Sequence, residues 1–348
     1  MKNERPHLTV NFAKWWPNFD REQNFLVNAL REYFEVEVGA DPDLLFFSVF
    51  QGEWPKGEYL KVFYTGEPRK PDMQLADWAF SYEYDEDIKH PRHMRLPLYV
   101  IDVDGRAFRA DWGHALIKSD RYAERVLAEG RNGFCAYVAY YDGRARCTMF
   151  DALSRYRQVT APGKSRNNAP PISDDNPEKS RVNDNFQVLK REFYRRFRFA
   201  LVFENRHYPG YTTEKLVDAM AAGCIPIYWG NPEVVRDFNP RSFIDVSALE
   251  AEELSRLSNW LIRFPALYRW MAQQRVFPRA VGRAVARIRE IDQDPSLRHA
   301  VLAEPWFHGN QPNRYFDPGR FVDRMREIGL DALRRRTSGM ETIKSIPL

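Results

Sequence analysis

Polar side chains follow a buried strand in the segment between residues 199 and 230. The apolar run from Ala200 to Phe203 is typical of a strand that is buried on both faces. Glu204 and Asn205 come directly after this run, at the carboxyl end of the strand. Open sheets bind ligands at that end, so the spacing predicts a ligand site here.

The helix that follows could bind an anion at its start. Thr212 or Thr213 can cap this helix, and Gly223 can end it in the left-handed conformation. The free amide groups of a first helical turn and the positive end of the macrodipole favour an anion, and Lys215 adds a full charge. The diphosphate of a sugar nucleotide would fit there. From periodicity alone, an ordinary strand–helix–strand unit with a capping Glu and a solvated Lys is the alternative.

Three motifs surround this helix. They are Phe-Glu-Asn from Phe203, Tyr-Thr-Thr-Glu-Lys up to Lys215, and Gly-x-Ile-Pro-Ile-Tyr-Trp-Gly up to Gly230. In content and order they resemble the donor-site signature of the α1,3/4-fucosyltransferase family, and Asn205 lies ten residues before Lys215, as in its bacterial members. Similar blocks occur in the family's order at Phe63–Glu67, Met94–Tyr99, Gly163–Asn167 and Asp237–Val246. The resemblance covers roughly residues 60 to 246.

The resemblance implies an inverting reaction. L-Fucose would pass from GDP-β-L-fucose to the 3-OH, or the 4-OH, of N-acetylglucosamine in a lactosamine-type oligosaccharide, as in Lewis antigens and lipopolysaccharide O-antigens. Glu67, in Tyr-Thr-Gly-Glu, would be the base that accepts the proton of the acceptor hydroxyl. From the tetrapeptide alone, a surface Glu in a turn closed by Gly66 and Pro68 is the alternative. Pro68 stands where bacterial relatives commonly have Asn.

For the donor, the resemblance implies roles for further residues. Arg166 and Lys215 would contact the diphosphate, because an arginine fork can hold two phosphate oxygens and a lysine acts as a point charge. Asn205 and Tyr211 would contact the nucleotide, and Glu214 would contact hydroxyl groups of fucose or ribose. No cofactor and no metal ligand is then required, although a divalent cation, Mg or Mn, could stimulate the reaction.

Two short motifs elsewhere could instead bind a metal. The run Asp102-Val-Asp104-Gly is similar to the chelating Asp-x-Asp of the other large glycosyltransferase architecture, although a turn built from Asp and Gly is the commoner explanation. His90 and His93 have a metal-like interval, but no cluster of Cys or carboxylates accompanies them. We therefore interpret that segment as a loop.

Two further functions stay open. A protein of the same fold could use another nucleotide sugar, such as GDP-mannose. The chain could also be a catalytically inactive module that binds GDP or a glycan, which predicts binding without turnover. The fold alone does not decide between these functions and fucosyl transfer.

Length and pattern predict an α/β protein with two domains, because 348 residues exceed the usual size of one hydrophobic core. We place an acceptor-binding domain at residues 1–128, a GDP-fucose-binding domain at 129–310, and a closing helix with a basic tail at 311–348. The resemblance implies that two Rossmann-like domains face a cleft, the glycosyltransferase-B arrangement. The polar stretch 161–185 is predicted to be a mobile loop over the site.

Charge and cysteine content limit the partners. The net charge of +4 does not indicate a nucleic-acid partner, although Arg334, Arg335 and Arg336 could attract anionic lipid head groups weakly. The 3 cysteines are sparse and lack metal-ligand spacing, which fits a reducing cytoplasm. No long apolar stretch and no signal-peptide core is present in the sequence. We expect a cytoplasmic protein of the bacterial branch, at most peripheral to the inner membrane.

Overall fold

The computed structural model of the chain describes residues 5–17, 19–102, 105–172, 184–256 and 270–344. The chain divides into two compact units, Met1–Ala110 with Arg314–Leu348, and Asp111–Asn313. This division differs from the predicted one in two respects. The boundary comes before residue 128, and the C-terminal segment belongs to the first unit.

A parallel sheet forms the centre of the first unit. Its strands in the described residues are β1 (His7–Ala13), β2 (Glu35–Val38), β3 (Leu44–Phe47), β4 (Leu60–Tyr64), β5 (Trp78–Ser81) and β6 (His93–Arg95). Their order is β2-β1-β3-β4-β5-β6, and neighbouring strands run parallel. All residues of β3 and of β5 are buried, which is the pattern of strands covered on both faces.

Short helices follow the strands of this unit. They are α1 (Phe25–Arg31) and α2 (Asp85–Ile88). The side chain of Asn24 begins α1, because its oxygen accepts hydrogen bonds from the amides of Leu26 and Val27. The sequence pattern predicts a longer helix, near residues 22–34, but the cap at Asn24 sets a later start.

The second unit also contains a parallel sheet. Its strands in the described residues are β7 (Gly133–Ala136), β8 (Val159–Thr160), β9 (Phe197–Phe203), β10 (Ile225–Trp229) and β11 (Ile244–Asp245), in the order β11-β10-β9-β7-β8. The helices are α3 (Ala110–Ala115), α4 (Tyr122–Ala128), α5 (Arg144–Ser154), α6 (Asp184–Tyr194), α7 (Glu214–Ala221), α8 (Val246–Ser255), α9 (Phe277–Gln293) and α10 (Pro295–Ala303).

Packing of α4 explains why the boundary lies earlier than predicted. Ala123 and Val126 of α4 are buried in the same hydrophobic core as Phe199 of β9 and Ile225 of β10. The sequence pattern assigns this helix to the end of the N-terminal domain. Its apolar face is instead part of the second unit.

The long helix α11 (Pro318–Lys344) returns to the first unit. The ring centroid of Phe321 lies 5.7 Å from that of Phe25, 5.6 Å from that of Phe80 and 5.7 Å from that of Phe108. This apolar contact is the reason why the C-terminal segment does not stand apart. None of the helices in the described residues combines the length and apolarity that crossing a bilayer requires.

The strand order of each sheet reverses once along the chain. The reversal lies between β1 and β3 in the first sheet and between β7 and β9 in the second sheet. Open α/β sheets bind their ligands at the carboxyl ends of the strands beside such a point. The fold therefore directs attention to the loops that follow these strands.

Candidate active site

Glu204 is the first residue after β9, and its carboxylate lies at the start of α7. The side chain is almost completely buried, at 1% exposed. Its oxygens accept hydrogen bonds from the amide of Thr213 at 2.7 Å and from the hydroxyl of Thr213 at 2.8 Å. The predicted cap residue Thr213 thus precedes the helix but binds Glu204 rather than a helix amide.

Lys215 is paired with this carboxylate. Its Nζ atom lies 3.2 Å from Glu204 Oε2, 2.8 Å from Thr213 Oγ1 and 3.7 Å from Glu214 Oε1. The side chain of Lys215 is 22% exposed, so a ligand can still reach it. The predicted cation at the start of α7 is present, and two carboxylates compensate part of its charge.

A close approach explains the glycine at the end of β10. A Cβ atom on Gly230 would lie 2.4 Å from the Cγ atom of Glu204, which is well inside van der Waals contact. Any larger residue at Gly230 would push the buried carboxylate away from the start of α7. Gly230 ends the motif that resembles the fucosyltransferase signature. The absence of a side chain at this position leaves room for Glu204.

A buried asparagine holds the loop between β9 and α7. The Oδ1 atom of Asn231 accepts a hydrogen bond from the amide of Gly210 at 2.7 Å, and its Nδ2 atom donates to Thr212 Oγ1 at 3.1 Å. Tyr211 lies inside this loop and is 3% exposed. Its burial leaves little surface for a nucleotide, so its predicted contact with the donor stays a prediction.

Asn205 is fixed by an arginine that the sequence analysis missed. Arg146 of α5 is buried and donates hydrogen bonds to the carbonyl oxygen of Phe203 at 3.0 Å and to the side-chain oxygen of Asn205. Because Oδ1 is bound in this way, Nδ2 is the group through which Asn205 can donate to a ligand. One signal could have revealed Arg146: it shares the helical face of Met149 and Phe150, which are buried.

Arg166 lies in the loop that follows β8, with a left-handed backbone at φ 53°. Its Nη2 atom is 2.8 Å from Asp151 Oδ2, and its side chain is 38% exposed. Asp151 belongs to α5, the same helix that binds Asn205 through Arg146. This one helix therefore binds two of the five predicted donor residues, Asn205 and Arg166, at the carboxyl edge of the second sheet.

The described part of the predicted mobile loop has a defined conformation. The amide of Ser165 donates to the carbonyl of Ala139 at 3.0 Å, and the hydroxyl of Ser165 donates to Asp142 Oδ1 at 2.6 Å. A Cβ atom on Gly163 would lie 2.4 Å from the same carbonyl of Ala139, so a glycine is required there. Residues 163–165 are thus held in place, and residues 173–183 of the predicted loop lie outside the described residues.

Glu67 of the first unit is exposed and follows β4. Its amide donates to Thr65 Oγ1 at 2.9 Å, which forms a tight turn after the strand. The buried hydroxyl of Tyr82 donates to the carbonyl of Gly66 at 3.1 Å. The structure thus places Glu67 at the carboxyl edge of the first sheet, on a turn that a buried side chain holds.

The two candidate metal motifs have structural roles in the described residues. The carboxylate of Asp102 accepts hydrogen bonds from the amides of Arg106 at 2.7 Å and Ala107 at 3.1 Å, as expected for a turn, while Asp104 lies outside the described residues. His93 is buried in β6, so the loop interpretation is wrong for it. No group of three or more His, Cys, Asp and Glu side chains in the described ranges could hold a metal ion.

His93 also lies between Ser81, which is buried, and Asp85, which is 23% exposed, in a Ser–His–Asp arrangement. Its Nε2 atom lies 2.8 Å from Ser81 Oγ, and its Nδ1 atom lies 3.2 Å from Asp85 Oδ1. Such a set can activate a serine nucleophile when substrate reaches the hydroxyl. Ser81 is fully buried, so these groups stabilise the ends of β5 and β6 rather than attack a substrate.

Comparison with known proteins connects this site to one family. Residues 10–102 match the model of the alpha-(1,3)-fucosyltransferase FucT N-terminal domain, and residues 131–281 match that of the glycosyltransferase family 10 (fucosyltransferase) C-terminal domain. The chain belongs to this fucosyltransferase family. The predicted resemblance is confirmed, and the matched ranges contain all predicted site residues of this chain.

Relatives and solved structures agree with this assignment. The chain is 30% identical over 277 residues to alpha-(1,3)-fucosyltransferase FucT of Helicobacter pylori, covering 69% of this chain and 54% of that protein. It is 40% identical over 114 residues to a putative fucosyltransferase of Acanthamoeba polyphaga mimivirus, covering 32% of this chain and 18% of that protein. The chain therefore spans about half, or less, of the length of these curated relatives.

The fold is also that of solved fucosyltransferase structures. A crystal structure of alpha1,3-fucosyltransferase with GDP has a TM-score of 0.63 at 23% identity, over 95% of this chain and 92% of the other. A structure with GDP-fucose has a TM-score of 0.62 at 24% identity, over 94% and 92%. The predicted glycosyltransferase-B class of fold is confirmed.

Proposed function

We propose that this protein is a fucosyltransferase that uses GDP-β-L-fucose. The observation that carries the proposal is the position of the donor residues. Helix α5 holds both Arg166 and Asn205 at the carboxyl edge of the second sheet, beside the reversal of strand order, and Lys215 lies at the start of α7. Membership of the fucosyltransferase family, and the similar fold of a fucosyltransferase solved with GDP-fucose, support this sugar nucleotide as the donor.

The donor residues supply complementary charge to a leaving diphosphate. Arg166 offers a planar fork for two phosphate oxygens, and Lys215 offers a point charge. Glu204 keeps Lys215 in place, and Glu214 presents a carboxylate oxygen for sugar hydroxyls. With two cations present, the departure of GDP needs no metal ion, although a divalent cation could stimulate it.

Glu67 is the proposed base. Inversion at the anomeric carbon requires that the acceptor hydroxyl lose its proton as it attacks, and an exposed carboxylate on a fixed turn can accept that proton. We propose the 3-OH, or the 4-OH, of N-acetylglucosamine in a lactosamine-type glycan as the acceptor. The similarity to alpha-(1,3)-fucosyltransferase FucT of Helicobacter pylori supports the 3-OH.

The basic tail supports at most a weak contact with anionic lipid. Arg335 and Arg336 pair with Asp77 and Asp43 of the first unit, at 3.0 Å and 3.1 Å. These pairs compensate part of the tail's positive charge. Peripheral membrane contact and a cytoplasmic location therefore stay predictions.

The test is to incubate the protein with GDP-fucose and a panel of type 1 and type 2 acceptor sugars, and to determine the linkage of any product. GDP-mannose serves as the competing donor. Glu67→Gln should bind GDP-fucose as the wild type does, but its turnover should be slower by a factor of at least about a hundred. Preference for GDP-mannose would overturn the donor assignment, and unchanged turnover of Glu67→Gln would remove Glu67 from the mechanism.

A further inference from the structure

The carboxyl edge of the first sheet has a second set of groups, which the donor chemistry does not use. The strand order reverses between β1 and β3, and ligand crevices of open sheets form at such points. The loops that follow these two strands are residues 14–17 and 48–52. β4, which leads to Glu67, is the next strand in the sheet.

Aromatic rings gather at this point. Trp15 stacks on Trp16 at 4.8 Å and on Tyr64 at 5.7 Å between ring centroids, and Trp16 contacts the ring of Phe50 at 6.4 Å. Phe50 is 37% exposed and Trp16 is half-buried, so part of this aromatic cluster faces solvent. Exposed ring faces of this kind suit the apolar face of a sugar.

Two buried polar atoms in the loops that follow β1 and β3 have no hydrogen-bond partner among the described residues. They are the indole Nε1 of Trp15 and the hydroxyl oxygen of Ser48, in residues that are 9% and 3% exposed. An unsatisfied buried polar atom is destabilising, and such atoms in native structures call for an explanation. A ligand with several hydroxyl groups could supply a partner to each of these atoms.

The backbone that carries these groups is strained and tied together. Lys14 has a left-handed conformation, at φ 52°, although it is not a glycine. Its carbonyl accepts a hydrogen bond from the amide of Phe50 at 3.0 Å, and the carbonyl of Ala13 accepts one from the amide of Ser48 at 3.3 Å. Strained non-glycine residues held by their surroundings are frequent at ligand sites.

The chemistry of these groups favours an uncharged ligand rich in hydroxyl groups. The aromatic cluster and Ser48 are neutral. Among the residues just named, Lys14 is the one cation, and its Nζ atom lies over the ring of Trp54, 4.9 Å from the centroid. An indole N–H can only donate, and a serine hydroxyl can donate or accept. Both match sugar hydroxyls. Tyr64 of this cluster is three residues before Glu67.

We propose that Trp15, Ser48 and the neighbouring rings form the subsite for the pyranose that accepts fucose. In this subsite Trp15 Nε1 donates to one sugar hydroxyl, Ser48 binds another, and Trp16 packs against the ring of the sugar. The naming of this sugar as the acceptor rests on the proposed function. Binding of a neutral saccharide at the subsite does not depend on the proposed function, and it can be measured without turnover.

The experiment measures binding of N-acetyllactosamine by calorimetry to the wild type, Trp15→Phe and Ser48→Ala. Loss of one neutral hydrogen bond should weaken binding about fivefold to tenfold in each variant, while the affinity for GDP is unchanged. Trp78→Phe is the matched control, because it removes an indole N–H of the same sheet that donates to Asp331 at 2.9 Å. It should lower the unfolding temperature and leave saccharide affinity unchanged, whereas Ser48→Ala should leave the unfolding temperature unchanged.

The outcomes separate the subsite from the proposed function. Saccharide binding that depends on Trp15 and Ser48, without transfer of fucose, would support the subsite and contradict the function. Transfer of fucose with unchanged acceptor KM and unchanged saccharide affinity in both variants would contradict the subsite and support the function. Absence of any N-acetyllactosamine binding by the wild type would overturn the subsite.

Discussion

At the scale of the residue, the proposed donor site combines two cations, Arg166 and Lys215, with the buried carboxylate of Glu204. Loss of each cation should affect the stability of the fold differently. Arg166→Ala removes a guanidinium that pairs with the exposed carboxylate of Asp151, so the fold should be unaffected. Lys215→Ala also leaves Glu204 buried without its cation, which costs stability. We expect both variants to bind GDP about tenfold more weakly or worse, as measured by calorimetry.

Lys164→Ala provides the control for these variants. Lys164 is exposed, precedes Arg166 by two residues and lies over the ring of Tyr140 at 4.7 Å. Loss of its charge should change GDP affinity little, because charge alone near the site is screened by salt. Equal GDP affinity in the wild type, Arg166→Ala and Lys215→Ala would show that the diphosphate binds elsewhere.

Tyr82 is expected to position the turn that carries the proposed base Glu67, without touching substrate. Tyr82→Phe removes the hydrogen bond to Gly66, so the turn that carries Glu67 should become less ordered. We expect kcat to fall several-fold while the KM for GDP-fucose is unchanged. Tyr59→Phe is the matched control: it removes a similar bond, 2.9 Å to the carbonyl of Pro55, just before the amino end of β4. If both variants lose kcat equally, the effect is one of general stability.

Lys118 should make the stability of the second unit depend on pH. Its Nζ atom donates to the carbonyls of Leu302 at 2.7 Å and Glu304 at 2.5 Å, and burial lowers its pKa to about 6. At pH values between about 6 and the ordinary pKa of 10.5, the lysine is protonated in the unfolded chain and neutral in the folded unit. The free energy of unfolding should therefore rise with pH, by up to about 1.4 kcal/mol per pH unit from this group.

The measurement for Lys118 is denaturant unfolding at several pH values between 6.5 and 9, a range chosen to lie within that window. Lys118→Met should flatten the rise, because the variant has no amine to titrate. Lys56→Met, at an exposed position, should leave the rise as in the wild type. Parallel pH profiles for the wild type and Lys118→Met would contradict the assignment.

At the scale of the element, two helical glycines should respond oppositely to alanine. Gly282 in α9 is exposed and a Cβ atom there would meet no other atom within 4 Å, so Gly282→Ala should stabilise by about 1 kcal/mol through helix propensity. A Cβ atom on Gly329 in α11 would lie 2.5 Å from the buried ring of Phe34. Gly329→Ala should therefore be net destabilising, since overpacking costs about 1–3 kcal/mol. Thermal unfolding of both variants checks this, and stabilisation by both would contradict it.

The elements around the donor site could be predicted from the sequence because their signals are local. The apolar run before Glu204, the helical spacing after it and Gly223 predict β9, α7 and β10, and Gly223 has the expected left-handed φ of 71°. The pairing of Glu204 with Lys215 could not be predicted, because periodicity does not show which loop carboxylate turns inward. The buried face of α5 could have marked Arg146, but not its partners Phe203 and Asn205, because they are distant in sequence.

At the scale of the whole molecule, the two units should differ in their dependence on α11. A chain ending at residue 313 would lack the helix that covers Phe25, Phe80 and Phe108, so about three large apolar side chains of the first unit would become exposed. We expect this variant to retain GDP binding and to lose amide protection against hydrogen exchange in β1, β3 and β4. Protection of these strands equal to that in the full chain would contradict the role of α11.

The return of α11 also sets an order of maturation. A ribosome releases residues 111–313 before the helix that completes the first unit has been synthesised. The second unit can therefore fold early, whereas residues 1–110, although they are made first, keep apolar rings uncovered until α11 has been synthesised. Nascent chains stalled shortly before Phe321 should accordingly be substrates for chaperones.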